Sequence, residues 1–389
     1  MDRQKVHFLF ELATSSNQGT EPTALRLQPI FPRKERLSTM SKERKLRPAL
    51  SLILVPLATQ LIATAPVLAL ERTEEAQLEP STVIIKTDIQ IDSTRRRPTI
   101  ALALGGGGIR GSTHIGVLRV LERERIPIDY IVGTSMGSVV GSLYAAGVPL
   151  DDIEKMLMKK KLQKAYQPRP LAMQAICQPA LMVKHAITGR PCAGLYNGRS
   201  LEKYIEKTLP PGKQNIENLN IKFAAVVTDF TSGKLTTFDK GPVAKAIRAS
   251  TSIPLLMRPA EIDGHLYVDG SLRVSVPSAI AAETGADIVI GVQTDEPLHD
   301  KQTKSFKSYI PVFDQMINIV MTELGAKDKT SADMTIWPNL KGIKMYETSP
   351  KAVHKAIAAG ELAANQALPN LRKILSSKIA SRTITTVTQ

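Results

Sequence analysis

Beyond residue 98 the chain alternates two kinds of stretch: short runs of consecutive apolar residues, and longer segments in which apolar residues return every third or fourth position. An unbroken short run is how a strand buried on both faces reads, and the three-to-four spacing marks a helix with one buried side. "TIALALGGGGIRGSTHIGVLRVLERE" predicts a strand over 99–104, a glycine turn, and an amphipathic helix with Ile115, Leu118 and Leu121 on one face. "IDYIVGTS" is the next strand and "MGSVVGSLYAAG" its helix. "IKFAAVVTDF", "HLYVDGS" and "GADIVIGVQT" are further strands, separated by helical stretches such as "GPVAKAIRAS" and "VPSAIAAETG". Strand and helix alternating in this way predict an α/β layered domain with a largely parallel sheet. No internal repeat is present.

The pattern is different upstream. Residues 1–39 show no sustained periodicity and mix Ser, Asn, Pro and charges, which reads as a disordered extension. From Met40, a cluster of Lys42, Arg44, Lys45 and Arg47 precedes an uncharged run over 48–70 that ends in small residues. Charge, apolar run and small residues in that order are what a secretory signal needs, with cleavage expected after Ala69 and Met40 as the initiator. An uncleaved membrane anchor is the competing reading of 40–70, weakened by Pro56 and several Thr and Gln residues. Residues 71–97 read as a polar linker, 98–375 as the folded domain, and 376–389 as a flexible tail. The expected location is accordingly exported (periplasmic or extracellular) or membrane-anchored, with cytoplasmic peripheral attachment as the alternative.

Composition narrows the partners. The chain has 389 residues, 43% of them hydrophobic, enough for one large domain or two modest ones. Its formal net charge of +15 suits an anionic partner, yet only 4% of residues are aromatic and no nucleic-acid recognition motif is present. An anionic membrane surface is therefore expected rather than nucleic acid. Cys177 and Cys192 are the two cysteines; they form either one bridge in an oxidising compartment or a pair of buried thiols, and no Cys/His spacing suggests a metal.

The glycine turn carries the first chemical signal. Gly106, Gly108 and Gly111 satisfy GxGxxG between a strand and a helix, the dinucleotide fingerprint. The acidic residue that such a site needs at the end of the second strand is missing, since Asp129 lies at its start. A phosphate loop fails too, because no Lys stands between Gly111 and Ser112. A third reading treats Gly106, Gly107 and Gly108 as bare N–H donors near a helix start, a surface suited to an oxyanion. That reading needs a nucleophile, and Gly133-Thr134-Ser135-Met136-Gly137 is a GxSxG elbow between strand and helix, where larger residues in place of Gly133 and Gly137 would crowd the turn.

A serine needs a base, and the histidines offer none that is clear. His7 precedes the fold, His114 sits inside the first helix and reads as structural, and His185, His299 and His354 lack an evident acidic partner. His265 lies near a strand, but alternation does not fix where it points. Asp269 in "YVDGS" is better placed, at a strand end before a permissive glycine, although an Asp-Gly turn is the plain alternative. Partial burial would raise its basicity.

Taken together, "GGGGIRG", "GTSMG" and "VDGS" resemble the oxyanion loop, nucleophile elbow and aspartate motif of the patatin-like phospholipases, and the similarity extends over 98–375. The resemblance implies a three-layer α/β/α fold with a mainly parallel central sheet, related to the α/β-hydrolase architecture. It implies a Ser135–Asp269 dyad without histidine, an oxyanion hole at Gly106, Gly107 and Gly108, no cofactor, and phospholipid or another acyl-ester lipid as substrate. Arg110 would steady the glycine loop or attract a lipid phosphate. Ser271 stands where the family commonly has Gly or Ala, and Val274-Ser275 where an Asn is often seen. Two other functions stay open at this point: a non-catalytic lipid-binding protein on the same fold, and a nucleotide-binding protein using GxGxxG.

Overall fold

The computed structural model describes residues 97–169, 194–298, 309–328 and 331–387, together with Met173, Asp300 and 302–307. The extension at 1–39, the segment at 40–70, nearly all of the linker and both cysteines lie outside the described residues.

The predicted alternation is present. The strands are β1 (Ile100–Leu104), β2 (Tyr130–Thr134), β3 (Lys222–Asp229), β4 (Leu235–Phe238), β5 (Ala260–Ile262), β6 (His265–Asp269), β7 (Ile288–Val292) and β8 (Met334–Ile336). Between and after them run α1 (Thr113–Arg123), α2 (Met136–Ala145), α3 (Leu150–Met158), α4 (Lys161–Tyr166), α5 (Arg199–Thr208), α6 (Val243–Ser250), α7 (Ser278–Ala282), α8 (Tyr309–Asp328) and α9 (Pro350–Val387). The last helix covers 376–387, where a tail was expected. Among the described residues no helix is long and apolar enough to cross a membrane.

Hydrogen-bonded neighbours in the sheet run β5-β6-β3-β2-β1-β7-β8, with β4 also paired to β3. The pairings β1–β2, β1–β7, β2–β3 and β7–β8 are parallel; β3–β4, β3–β6 and β5–β6 are antiparallel. Alternation along β1 sends Ile100, Leu102 and Leu104 into a large core beneath most of the helices. Ala101 and Ala103 face a smaller cluster with Val132, Val226, Val276 and Ile280. The result is α/β/α layering in which the short α7 packs Ile280 and Ala281 against the second face of the sheet.

One feature of the register fixes the site. Ala225 and Val226 pair with β2 and also with β4, while Val227 and Thr228 pair with β4 and also with β6. A strand has two edges, so β2 and β6 share the same edge of β3, meeting end to end. Thr134 pairs with Val226 and Asp269 with Val227, which brings the end of β2 and the end of β6 to adjacent steps on one backbone.

Candidate active site

Past the end of β2 the chain reverses at Ser135, whose φ of 50° and ψ of −122° lie outside the regions that L residues favour. Such a backbone is held only when its surroundings over-determine it. Here the Ser135 N–H donates to Ser250 Oγ at 3.0 Å, and that hydroxyl in turn donates to Val226 O at 2.7 Å. The Ser135 carbonyl accepts from Ser138 N at 2.9 Å and Ser138 Oγ at 2.6 Å. Gly133 and Gly137 permit the tight reversal: a Cβ on Gly133 would lie 2.6 Å from the Gly137 carbonyl carbon, and one on Gly137 would lie 2.2 Å from Leu104 O. Ser135 also stands at the positive end of α2.

Asp269 arrives from the other side of the junction. Ser135 Oγ donates to its Oδ2 at 2.6 Å, and Ser271 N donates to its Oδ1 at 2.8 Å. Both residues are enclosed, Ser135 at 6% and Asp269 at 2% exposure. Burial pushes the Asp269 carboxyl up to about 6, against the pull of the hydrogen bonds from Ser135 and Ser271. The structure thus unites the expected serine and aspartate and gives the carboxylate more basicity than an exposed one would have.

The glycine loop passes directly beside the serine, since a Cβ on Gly106 would lie 3.1 Å from Ser135 Cβ and 2.1 Å from Ser271 Oγ. Not all three expected donors are equal. Gly106 N–H is engaged by Ser275 O at 3.2 Å, whereas the Gly107 and Gly108 N–H groups have no acceptor among the described residues. At Gly108, a positive φ and a Cβ position 2.5 Å from Met345 O both require glycine.

Of the two roles expected for Arg110, support of the loop fits and attraction of a phosphate does not. Its guanidinium is 1% exposed and spent on three partners: Ile343 O at 2.7 Å, Asn318 Oδ1 at 2.7 Å and Glu296 Oε2 at 2.8 Å. These contacts tie the glycine loop to the segments after β7 and β8 and to α8. His114 is structural, as expected. Its Nε2 meets Gly105 O at 2.8 Å, so Nε2 carries the proton, and burial lowers the ring to about 4. His265 and His354 are exposed, and His7, His185 and His299 lie outside the described residues. Asp129, the residue a nucleotide reading would need at the other end of β2, accepts from Ile100 N at 2.9 Å and pairs with Arg97.

Several contributors carry no sequence signal. Ser250 sits in an ordinary amphipathic helix, yet its hydroxyl holds the Ser135 N–H. Asp328, raised to about 6 by burial, accepts Ser275 N at 2.9 Å and Val276 N at 3.0 Å, fixing the strand of backbone behind Gly106. Tyr346 presents a buried hydroxyl without a partner among the described residues, in the segment whose Met345 O accepts Ile109 N at 2.9 Å.

Residues 102–282, which include Ser135, Asp269 and the glycine loop, match the sequence profile of the patatin-like phospholipases. This stretch is a patatin-like phospholipase domain. An uncharacterized NTE family protein of Mycobacterium tuberculosis is 36% identical over 195 residues, covering 50% of this chain and 49% of its own. The human patatin-like phospholipase domain-containing protein 6 is 33% identical over 198 residues, covering 50% of this chain and 13% of its own. The chain thus spans about half the length of the mycobacterial relative and a small part of the human one. Among solved structures, VipD from Legionella pneumophila aligns over 73% of this chain and 67% of its own with 16% identity and a TM-score of 0.38, a likeness too slight to argue from.

Proposed function

We propose that this patatin-like protein is a lipid acyl hydrolase of phospholipase A or lysophospholipase type, in which Ser135 is the nucleophile and Asp269 the base. The observation that carries the reading is the 2.6 Å hydrogen bond from Ser135 Oγ to a buried carboxylate, made at a strained elbow beside two unengaged backbone N–H groups. In the first half-reaction Ser135 Oγ attacks the ester carbonyl carbon and its proton passes to Asp269 Oδ2. Negative charge gathers on the carbonyl oxygen, which the Gly107 and Gly108 N–H groups receive; one such donor lowers the barrier by about 3 kcal/mol. Collapse of the tetrahedral species expels the alcohol, protonated by Asp269, and leaves an acyl-serine. Water then attacks the acyl carbon, giving its proton to Asp269, and release of the fatty acid returns the proton to Ser135 Oγ. A carboxyl near 6 suits this alternation, since it is ionised at neutral pH and still a competent acid.

Reaction of the full chain with a fluorophosphonate probe, with mass spectrometry of the labelled peptide, tests the nucleophile. Labelling confined to Ser135 is expected, and Ser135→Ala and Asp269→Asn are each expected to lose at least about a thousandfold in ester hydrolysis while folding normally. Retention of most activity by either variant would sink the assignment.

A further inference from the structure

Helix α8 is built inside out. At 3.6 residues per turn, Asp314, Asn318, Met321 and Gly325 lie along one side, and Val312, Met316, Ile319 and Val320 along the opposite one. The side with the polar groups faces the protein: Asn318 accepts from Arg110, Asp314 Oδ1 accepts Met345 N at 3.1 Å, and Asp328 at the helix end holds Ser275 and Val276. The apolar side faces outward, with Val312 at 50%, Met316 at 47%, Ile319 at 47% and Val320 at 37% exposure. Together with Phe306 and Gln315 these residues line a shallow depression of about 370 Å³. A helix at a protein–water boundary has the reverse arrangement.

The position of this face is as telling as its polarity. The parallel strands all end on the side of the sheet where Ser135 lies, and exposed apolar residues gather there. Phe230 follows β3, Leu298 follows β7 and Trp337 follows β8. Leu255, at 75% the most exposed of the large apolar residues among those described, projects from the loop whose Ser252 O accepts Asp269 N. Exposed lysines neighbour the helix along the chain and in contact with it: Lys304 and Lys307 just before it, and Lys341 and Lys344 in the segment that Asp314 holds through Met345 N. Glu323, at the far end of the apolar stripe, is the acidic residue on that line.

We infer that the outward face of α8 seats this protein on an anionic lipid surface, with the Val312–Val320 stripe entering the acyl boundary and the flanking lysines meeting lipid phosphates. The inference rests on the ester-hydrolysis reading for its substrate but not for its test. An interface of this kind buries apolar side chains a few ångströms into the headgroup layer while Coulomb attraction holds the lysines at its rim. Through Asn318–Arg110 and Asp314–Met345 the seated helix is joined to the glycine loop, so seating α8 would hold that loop in a fixed position relative to the lipid surface.

Flotation of the full chain with vesicles of phosphatidylcholine containing a quarter phosphatidylglycerol tests this without any turnover. Failure of Ser135 as a nucleophile would therefore leave the result readable. The wild type is expected to float with these vesicles, more weakly with pure phosphatidylcholine, and less as salt is raised. Met316→Asp with Ile319→Asp is expected to weaken vesicle binding at least about tenfold. Met316→Gln with Ile319→Gln, which adds no charge, is expected to weaken it by a smaller factor, and unchanged thermal unfolding confirms that both fold. Flotation of the Asp variant equal to wild type, or binding indifferent to phosphatidylglycerol and salt, overturns the inference. So does a wild type that ignores vesicles and is instead a dimer by light scattering that the Asp variant breaks, since the stripe would then cover a second copy.

Discussion

Acidification separates the buried Asp269 from an ordinary one. With its carboxyl raised to about 6, against 3.8 unperturbed, the folded protein favours the protonated form by about 3 kcal/mol more than the unfolded chain does. A protonated Asp269 cannot take the Ser135 proton, so kcat/KM for a dissolved short-chain ester is expected to climb tenfold per pH unit below about 6 and level off above it. At pH 5 about one molecule in eleven would carry the ionised base, a loss of about tenfold, whereas a carboxyl at 3.8 would lose almost nothing there. Light scattering and thermal unfolding at each pH exclude acid denaturation, and Asp328→Asn removes the other carboxyl raised to about 6 behind the loop. A plateau that persists down to about pH 4.5 in folded protein would refute the reasoning, because the base would then be unperturbed. Stability runs the other way. A raised carboxyl contributes stability that is present below its unfolded pKa and lost as pH rises through about 6. Asp269→Asn, which keeps the shape without the charge, is therefore expected to gain more in Tm over wild type at pH 8 than at pH 5.

Two substitutions test the scaffold. Arg110→Leu strands Glu296 without its cation in a site where the paired side chains are 1% and 7% exposed, and is expected to cost about 3–5 kcal/mol, read as a drop in Tm of roughly 10 °C. A drop of less than about 2 °C would mean that the network is not structural. Ser135→Gly is expected to be inactive yet more stable than Ser135→Ala by about 1 kcal/mol or more, since glycine accepts the positive φ of 50° that any Cβ resists; equal denaturation midpoints would show the elbow to be relaxed.

What could be read from the sequence was what glycine and periodicity encode. The alternation of β1, α1, β2 and α2 is visible because each element has its own period, and the site glycines are visible because side chains at Gly108, Gly133 or Gly137 would collide with backbone. Asp269 is legible by its place before a glycine, but its antiparallel strand is indistinguishable from the parallel ones, since pairing direction leaves no mark on a strand of five residues. Ser250, Asp328 and the partners of Arg110 were not legible, because each acts on a residue more than fifty positions away and is chemically unremarkable where it stands. The orientation of α8 is not legible for a different reason: periodicity tells that a helix has two sides, not which of them faces the protein.

The end-to-end meeting of β2 and β6 along β3 turns backbone pairing into a ruler. Strand residues advance in steps of about 3.3 Å, and successive side chains point to opposite faces. Val226 and Val227 are consecutive graduations, one reading out the end of β2 and the other Asp269. Deleting or inserting a single residue in β6 would not merely lengthen the reach from base to nucleophile; it would present Val268 or Gly270 at that mark and turn the carboxylate through to the far side of the sheet. The distance between the two reacting groups is thus quantised, and the chain can lose it in one step but cannot drift away from it gradually.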